Sequence, residues 1–260
     1  MKKKLAKISM LLLLVISVTG VILLMAFSSN EQKNQACANI DVRIDQSQGI
    51  LFLDDVDVKE ILMNQLGDSL KGDNISNISL EHVEEILEKN MYVQDAESFL
   101  DMQGTLHIQI VQKQPVARVI NKFGVHYYIT ESSAKFPLNN KFTCRVPVIS
   151  GNIEEGLSSS EDISSKTLQD ALRLVMFFSS DEVWKAQIEQ IFVNEKKEFD
   201  LVPMVGDFII EFGDIENMQL KFKNLETFYN EGLSYIGWNK YKTVNVSILN
   251  QVYCTKKDTL

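Results

Sequence analysis

The sequence predicts an α+β protein with one N-terminal transmembrane helix, a β-α-α-β-β domain, and a C-terminal mixed β domain with flanking helices. Residues 8–27 are apolar and uncharged, which indicates the span. Residues 39–111 place two helical patterns between alternating strand patterns, and residues 116–248 continue with further strands and helices. A chain of 260 residues has room for one span and two small domains.

The apolar run from Ile8 to Phe27 has the length of a membrane span. At about 1.5 Å per residue, a helix of this length reaches the roughly 30 Å of a bilayer core. A cleaved secretory signal is the alternative, but its apolar core is usually shorter, and Ala26-Phe27-Ser28 is a poor cleavage site. Four lysines precede the run and indicate a cytoplasmic N-terminus: Lys2, Lys3, Lys4 and Lys7. We therefore expect a single-pass protein in which the residues after Phe27 lie across the membrane from the N-terminus.

The charge of the chain is acidic and limits its partners. The chain carries 26 basic and 35 acidic residues; without the four N-terminal lysines, 22 basic residues and a net charge of −13 remain. Such a surface repels a phosphate backbone, so nucleic acid is excluded as a partner. The same repulsion argues against docking on anionic lipid, and it favours a basic partner segment.

No motif in the sequence indicates catalysis, a cofactor or a metal. The chain has no G-x-S-x-G, Walker, G-x-G-x-x-G or H-E-x-x-H pattern, and its three histidines are isolated. Cys37, Cys144 and Cys254 lack metal-ligand spacing, and they are either reduced or include a Cys144–Cys254 disulfide. The acidic run 54–57 fits a helix N-terminus better than a calcium loop. A binding protein is predicted rather than an enzyme.

The first domain is predicted over residues 37–115, after a cytoplasmic tail at 1–7 and a polar linker at 28–36. Its second helix begins with Ser79 as N-cap, and its first begins with Asp54 or Asp55. The predicted elements are a strand at 39–44, helices at 56–66 and 79–87, and strands at 92–100 and 105–111. This β-α-α-β-β order is that of a POTRA domain.

The second domain is predicted over residues 116–254, followed by a polar tail at 255–260. Prolines keep residues 136–138 and 146–151 extended, and residues 156–165 form a serine-rich loop. The other predicted strands are 116–120, 125–130, 188–194, 198–202, 208–212 and 243–248, and the helices are 167–178, 182–187 and 217–231.

The last predicted strand, 243–248, is a candidate open edge, because a final strand with one apolar face can offer unpaired backbone groups to a partner. Tyr235, Trp238 and Tyr241 come just before it, and such aromatics are typical interface anchors. They could equally close the core of their own domain, and the pattern alone leaves both interpretations open.

The ordered motifs of the chain resemble the FtsQ/DivIB family of bacterial cell division proteins, in its Bacteroidetes-type form. Residues 90–97 are similar to the family's NPYV-x-x-A-E, with Met91 in place of proline, and residues 104–119 to its G-x-L-x-I-x-V-x-Q-R-x-P-V-A-R-V. Residues 127–138 and 145–151 resemble its YYL…MPLS…RVPVVxG. Residues 241–245 and 250–257 resemble the C-terminal tail of this branch of the family. The resemblance covers nearly the whole chain.

The resemblance implies a non-enzymatic organising protein of the division septum, without a cofactor. Its partners would be FtsB-like and FtsL-like single-span proteins and, indirectly, the FtsW/FtsI-type septal peptidoglycan synthase. The partner-binding region that it implies comprises Tyr235, Trp238, Tyr241, Thr243, Val244, Asn245, Val246, Ser247 and Ile248. The alternative is a membrane-anchored POTRA protein of an outer-membrane assembly or secretion system, although the chain has one such unit and no barrel pattern.

Overall fold

The computed structural model describes residues 17–20, 36–67, 72, 74, 78–158 and 161–257. Its contacts divide the chain into two units after Gln112, three residues before the predicted boundary. Within the predicted span 8–27, residues 17–20 are described and are helical, and the rest lies outside the described residues. No helix among the described residues is both long and apolar enough to cross a bilayer.

The N-terminal unit is a three-stranded sheet with two helices, in the predicted β-α-α-β-β order. Its sheet has the order β1-β3-β2, in which β1 runs parallel and β2 antiparallel to the central strand. The elements are β1 (Asn39–Ile44), α1 (Asp55–Leu66), α2 (Leu80–Glu88), β2 (Val93–Leu100) and β3 (Thr105–Gln112).

Side-chain caps explain where the two helices of this unit begin. The Asp54 carboxylate accepts from the backbone N–H groups of Val56 and Asp57, and the Asp57 carboxylate accepts from the N–H of Asp54. The two side chains form a reciprocal capping box. The predicted N-cap role of Asp54 and the predicted position of the acidic run 54–57 at a helix N-terminus are confirmed. Ser79 Oγ likewise accepts from the N–H of His82 at the start of α2.

The C-terminal unit is built on a nine-stranded mixed sheet of order β12-β11-β10-β9-β8-β7-β4-β5-β6. The pairs β4–β7, β7–β8 and β10–β11 are parallel, and the others are antiparallel. The strands are β4 (Pro115–Ile120), β5 (His126–Thr130), β6 (Lys135–Pro137), β7 (Val148–Gly151), β8 (Ile188–Val193), β9 (Phe199–Pro203), β10 (Ile209–Gly213), β11 (Tyr241–Asn245) and β12 (Tyr253–Lys256).

Helices cover one face of this sheet through an aromatic core. They are α3 (Lys166–Ser179), α4 (Glu182–Gln187), α5 (Met218–Thr227), a π-helix (Phe228–Leu233) and α6 (Ser234–Ile236). The ring of Phe222 on α5 lies 5.1 Å from Trp184 of α4 and 5.2 Å from Phe212 of β10. These contacts fix the helical layer against the strands that lead to the C-terminal edge.

The helix predicted at 217–231 is confirmed as helical structure, since α5 ends at Thr227 and a π-helix continues it to Leu233. Two predictions for the last predicted strand are wrong. The strand predicted at 243–248 spans Tyr241–Asn245, because the Asn245 side chain turns the chain by accepting from the N–H and Oγ of Ser247. It is also not the edge of the sheet, because β12 pairs with it.

A buried ion pair ties the β5–β6 hairpin to the loop before α3. Lys135 Nζ lies 3.0 Å from Glu155 Oε1, with side-chain exposures of 0% and 4%. The same carboxylate accepts from the backbone N–H groups of Ser164 and Ser165, each at 2.9 Å. Burial by itself would raise the pKa of the Glu155 carboxyl, but the hydrogen bonds from Ser165, Ser164 and Lys135 together lower that pKa to about 2.

Candidate functional site

The strand β12 (Tyr253–Lys256) gives the C-terminal sheet an edge. It pairs with β11 on one side, in a register that joins Asn245 to Tyr253 and Thr243 to Thr255, and no other described strand lies beyond it. Outward-facing backbone N–H and C=O groups of an edge strand are free to pair with another chain. The geometry therefore suits strand addition by an extended peptide.

The structure divides the predicted partner-binding residues into two groups. Val244 and Val246 are fully buried and Tyr241 is 7% exposed, so these side chains belong to the core of their own domain. The half-buried Trp238 packs edge-on against Tyr229, with ring centroids 5.1 Å apart. The partly or largely exposed members are Tyr235, Thr243, Asn245, Ser247 and Ile248.

Large apolar side chains are exposed in the segment from α6 to β12. Tyr235 is 87% exposed, and four further large side chains between 236 and 253 are more than 40% exposed. They are Ile236, Ile248, Leu249 and Tyr253. The prediction includes Tyr235 and Ile248 but not the other three, and exposed aromatic and aliphatic side chains of this size favour burial by a partner.

An acidic row crosses the sheet beside this edge. Tyr253, Asn245, Glu211 and Asp200 occupy the same register position on β12, β11, β10 and β9. Asn245 Nδ2 donates to Glu211 Oε2 at 2.6 Å. Burial, followed by the nearby Glu211 carboxylate, raises the pKa of Asp200. Two of the four residues in this row, Glu211 and Asp200, are carboxylic acids.

The sequence interpretation missed β12 because a four-residue strand with three exposed side chains shows no alternation. Val252, Tyr253 and Thr255 belong to residue types that are enriched in strands, and that is the signal that could have identified β12. As a result, residues 255–256, which the prediction assigns to the polar tail, belong to β12.

A metal site is not found in the described part of the chain. The described residues include no group of three or more histidine, cysteine or carboxylate side chains that could hold a metal ion. Cys144 and Cys254 are free thiols, so the disulfide considered between them is not formed, and burial raises the pKa of both. Cys37 is buried among apolar side chains of the N-terminal unit.

Comparison with known proteins gives the two units separate matches. Residues 114–255 match the family described as FtsQ/DivIB, C-terminal related, and residues 35–111 match the POTRA-like domain. The Cell division protein FtsQ of Geotalea daltonii is 32% identical over 111 residues, which cover 42% of this chain and 40% of that relative. The match therefore spans less than half the length of the curated relative.

The FtsQ/DivIB match covers more than half of the chain and runs from β4 to Thr255 in β12. The POTRA-like match contains β1, α1, α2 and β2 of the N-terminal unit and β3 up to Val111. The chain belongs to the FtsQ/DivIB family.

Proposed function

We propose that this protein acts in bacterial cell division as a non-enzymatic scaffold that binds its partners through the C-terminal sheet edge. The observation that carries the proposal is the edge strand β12, at which the segment that matches the family ends. The family membership and the Geotalea relative supply the connection with cell division. A POTRA-like unit and an open edge are binding architectures, which favours a scaffold over an enzyme.

The partner in this proposal is an FtsB-like protein that adds a strand to β12. Backbone hydrogen bonds along Tyr253–Lys256 would supply affinity, and the exposed side chains of Tyr235, Ile248 and Tyr253 would supply specificity. An FtsL-like protein would join through the FtsB-like partner, and the assembly would recruit and regulate an FtsW/FtsI-type synthase at the septum.

The proposal places the protein in the inner membrane, with residues 8–27 as its single span. The uncharged run and the four lysines before it support this orientation, with the N-terminus in the cytoplasm. Both folded units then lie in the periplasm, where they can meet the outer parts of other single-span division proteins. The span confines the binding surface to the outer face of that membrane.

Localisation of a fluorescent fusion in dividing cells tests the division role. We expect a band at the constriction site in cells that are dividing. A uniform signal around the envelope, at native expression level, would refute the role in division. Fractionation of the same cells tests the membrane assignment, because release of the intact protein without detergent contradicts a span at 8–27.

A binding measurement tests the site itself. Tyr253→Ala removes an exposed aromatic side chain at the edge, and we expect it to weaken binding of the FtsB-like partner by about tenfold, the effect of a typical interface anchor. Phe123→Ala is the matched control, because Phe123 is 69% exposed and lies in the β4–β5 turn. Equal affinities of the two variants would place the interface elsewhere.

A further inference from the structure

An imidazole ring in the N-terminal unit is held between two carboxylates. His107 lies on the central strand β3, and its Nδ1 is 3.0 Å from Asp41 Oδ2 on β1. Its Nε2 is 3.0 Å from Asp101 Oδ2 in the β2–β3 turn. The His107 side chain is 20% exposed, so solvent reaches the ring without surrounding it.

This geometry specifies the protonation state of the ring. A carboxylate only accepts hydrogen bonds when ionised, so each ring nitrogen must carry a hydrogen to satisfy its partner. The neutral imidazole has one N–H and one lone pair, and it can satisfy only one of the two carboxylates. Both contacts therefore form together only in the imidazolium.

Each carboxylate has a second role that connects the ring to the backbone. Asp101 Oδ1 accepts from the N–H groups of Gln103 and Thr105, which shapes the β2–β3 turn. Asp41 Oδ2 accepts from Arg43 Nε at 3.2 Å on the edge strand β1. The ring, which lies on β3, thus links the edge strand β1 to the β2–β3 turn of the same sheet. Among the described strands, β1 pairs only with β3.

The other groups around the ring come from β2. Phe99 is the cross-strand partner of His107, and the two rings stack with centroids 4.9 Å apart. Glu97 lies two residues before Phe99 on the same strand and pairs with Gln109 of β3. The hydrogen bond to Asp101, only partly opposed by burial, raises the pKa of His107, and the hydrogen bond to Asp41 adds to the increase.

We propose that His107 is a pH-sensitive link that ties β1 to the β2–β3 turn while it is protonated and releases one of them when it is neutral. A raised pKa in the folded state means that the link is complete below the ordinary histidine value of 6.5 and is lost as the pH rises through the raised value. His107 therefore holds β1 and the β2–β3 turn together at mildly acidic pH, and it holds only one of them at alkaline pH.

Hydrogen exchange of the full chain in detergent tests the link, followed by mass spectrometry from about pH 6 to about pH 8.5. After correction for the intrinsic exchange rate, we expect peptides that cover 39–44 and 101–106 to lose protection several-fold as the pH rises. His107→Gln should show low and pH-independent protection in the same peptides. His82→Gln is the matched control, because His82 lies on α2 and is 3.7 Å from Glu85. Its exchange should follow that of the wild type.

Protection that stays constant with pH in the wild type, or that changes equally in His107→Gln, would overturn the proposal. A second measurement tests the proposal even if His107→Gln folds poorly. NMR titration of the His107 ring in the wild type should give a midpoint above 6.5, and Asp101→Asn should lower that midpoint. A purely structural role for Asp101 would leave the midpoint where it is, and that result would also overturn the proposal.

Discussion

Replacing Glu155 by glutamine tests the buried ion pair that fixes the β5–β6 hairpin. The substitution keeps the shape of the side chain but removes the carboxylate charge that faces the buried ammonium group of Lys135. The pKa of Glu155 falls from 4.5 to about 2 in the folded protein, and each pKa unit corresponds to about 1.4 kcal/mol. The expected loss of stability is therefore about 3 kcal/mol, which agrees with the roughly 3–5 kcal/mol for breaking a buried pair.

Tryptophan fluorescence during urea unfolding measures the stability of the C-terminal unit, which contains the ion pair. Trp184 and Trp238 are the two tryptophans of the chain, and both lie in the C-terminal unit. Glu154→Gln is the matched control, since Glu154 is the adjacent residue and pairs with Lys122 at the surface with 66% side-chain exposure. Surface pairs contribute little, so the unfolding midpoint of this control should equal that of the wild type.

The pH dependence provides a second check on the same pair. Because the folded-state pKa is depressed, the contribution of Glu155 is complete above 4.5 and disappears as the pH falls from 4.5 towards about 2. The wild type and Glu155→Gln should therefore differ most near neutral pH and converge in strong acid. A Glu155→Gln variant as stable as Glu154→Gln at neutral pH would refute this account of the pair.

Three further predictions concern stability and thiol chemistry. Asp54→Ala removes the cap of α1 and should lower the free energy of unfolding of the N-terminal unit by about 1 kcal/mol, measured by circular dichroism; an unchanged value contradicts the capping box. Gly151→Ala places a Cβ against the backbone carbonyl of Val193, and the φ of Gly151 is 97°, which disfavours any residue with a side chain. The variant should therefore be less stable by more than about 1 kcal/mol when the C-terminal unit is unfolded in urea. Unchanged stability would contradict the close approach of β7 and β8. Burial raises the pKa of Cys144 and Cys254, so both should react slowly with a thiol reagent at neutral pH and faster as the pH rises; fast labelling at neutral pH would contradict their placement.

Elements with strong local signals could be predicted from the sequence. The strict alternation at Asn39–Ile44 and Thr105–Gln112 and the capping residues Asp54 and Ser79 act within a few residues, and the structure has these elements at those positions. Their positions depend little on tertiary contacts. The β-α-α-β-β order follows directly from them.

Features that depend on distant contacts could not be predicted. The four residues of β12 form a strand because they pair with β11. The segment has no hydrophobic periodicity from which this pairing could be predicted. The alternation of Val244 and Val246 indicates an apolar face, but it does not show that the helical layer of the same domain already covers that face. Lys135 and Glu155 are 20 residues apart, and each by itself resembles an ordinary surface charge.

Photo-crosslinking from position 253 in dividing cells tests the central claim most directly. A photoreactive amino acid in place of Tyr253 lies on the edge strand β12, and one in place of Phe123 serves as an exposed control away from that edge. Binding by strand addition predicts a crosslink from position 253 to a small FtsB-like single-span protein and none from position 123. The absence of that crosslink from position 253, or the same crosslink from position 123, would contradict partner binding at this edge.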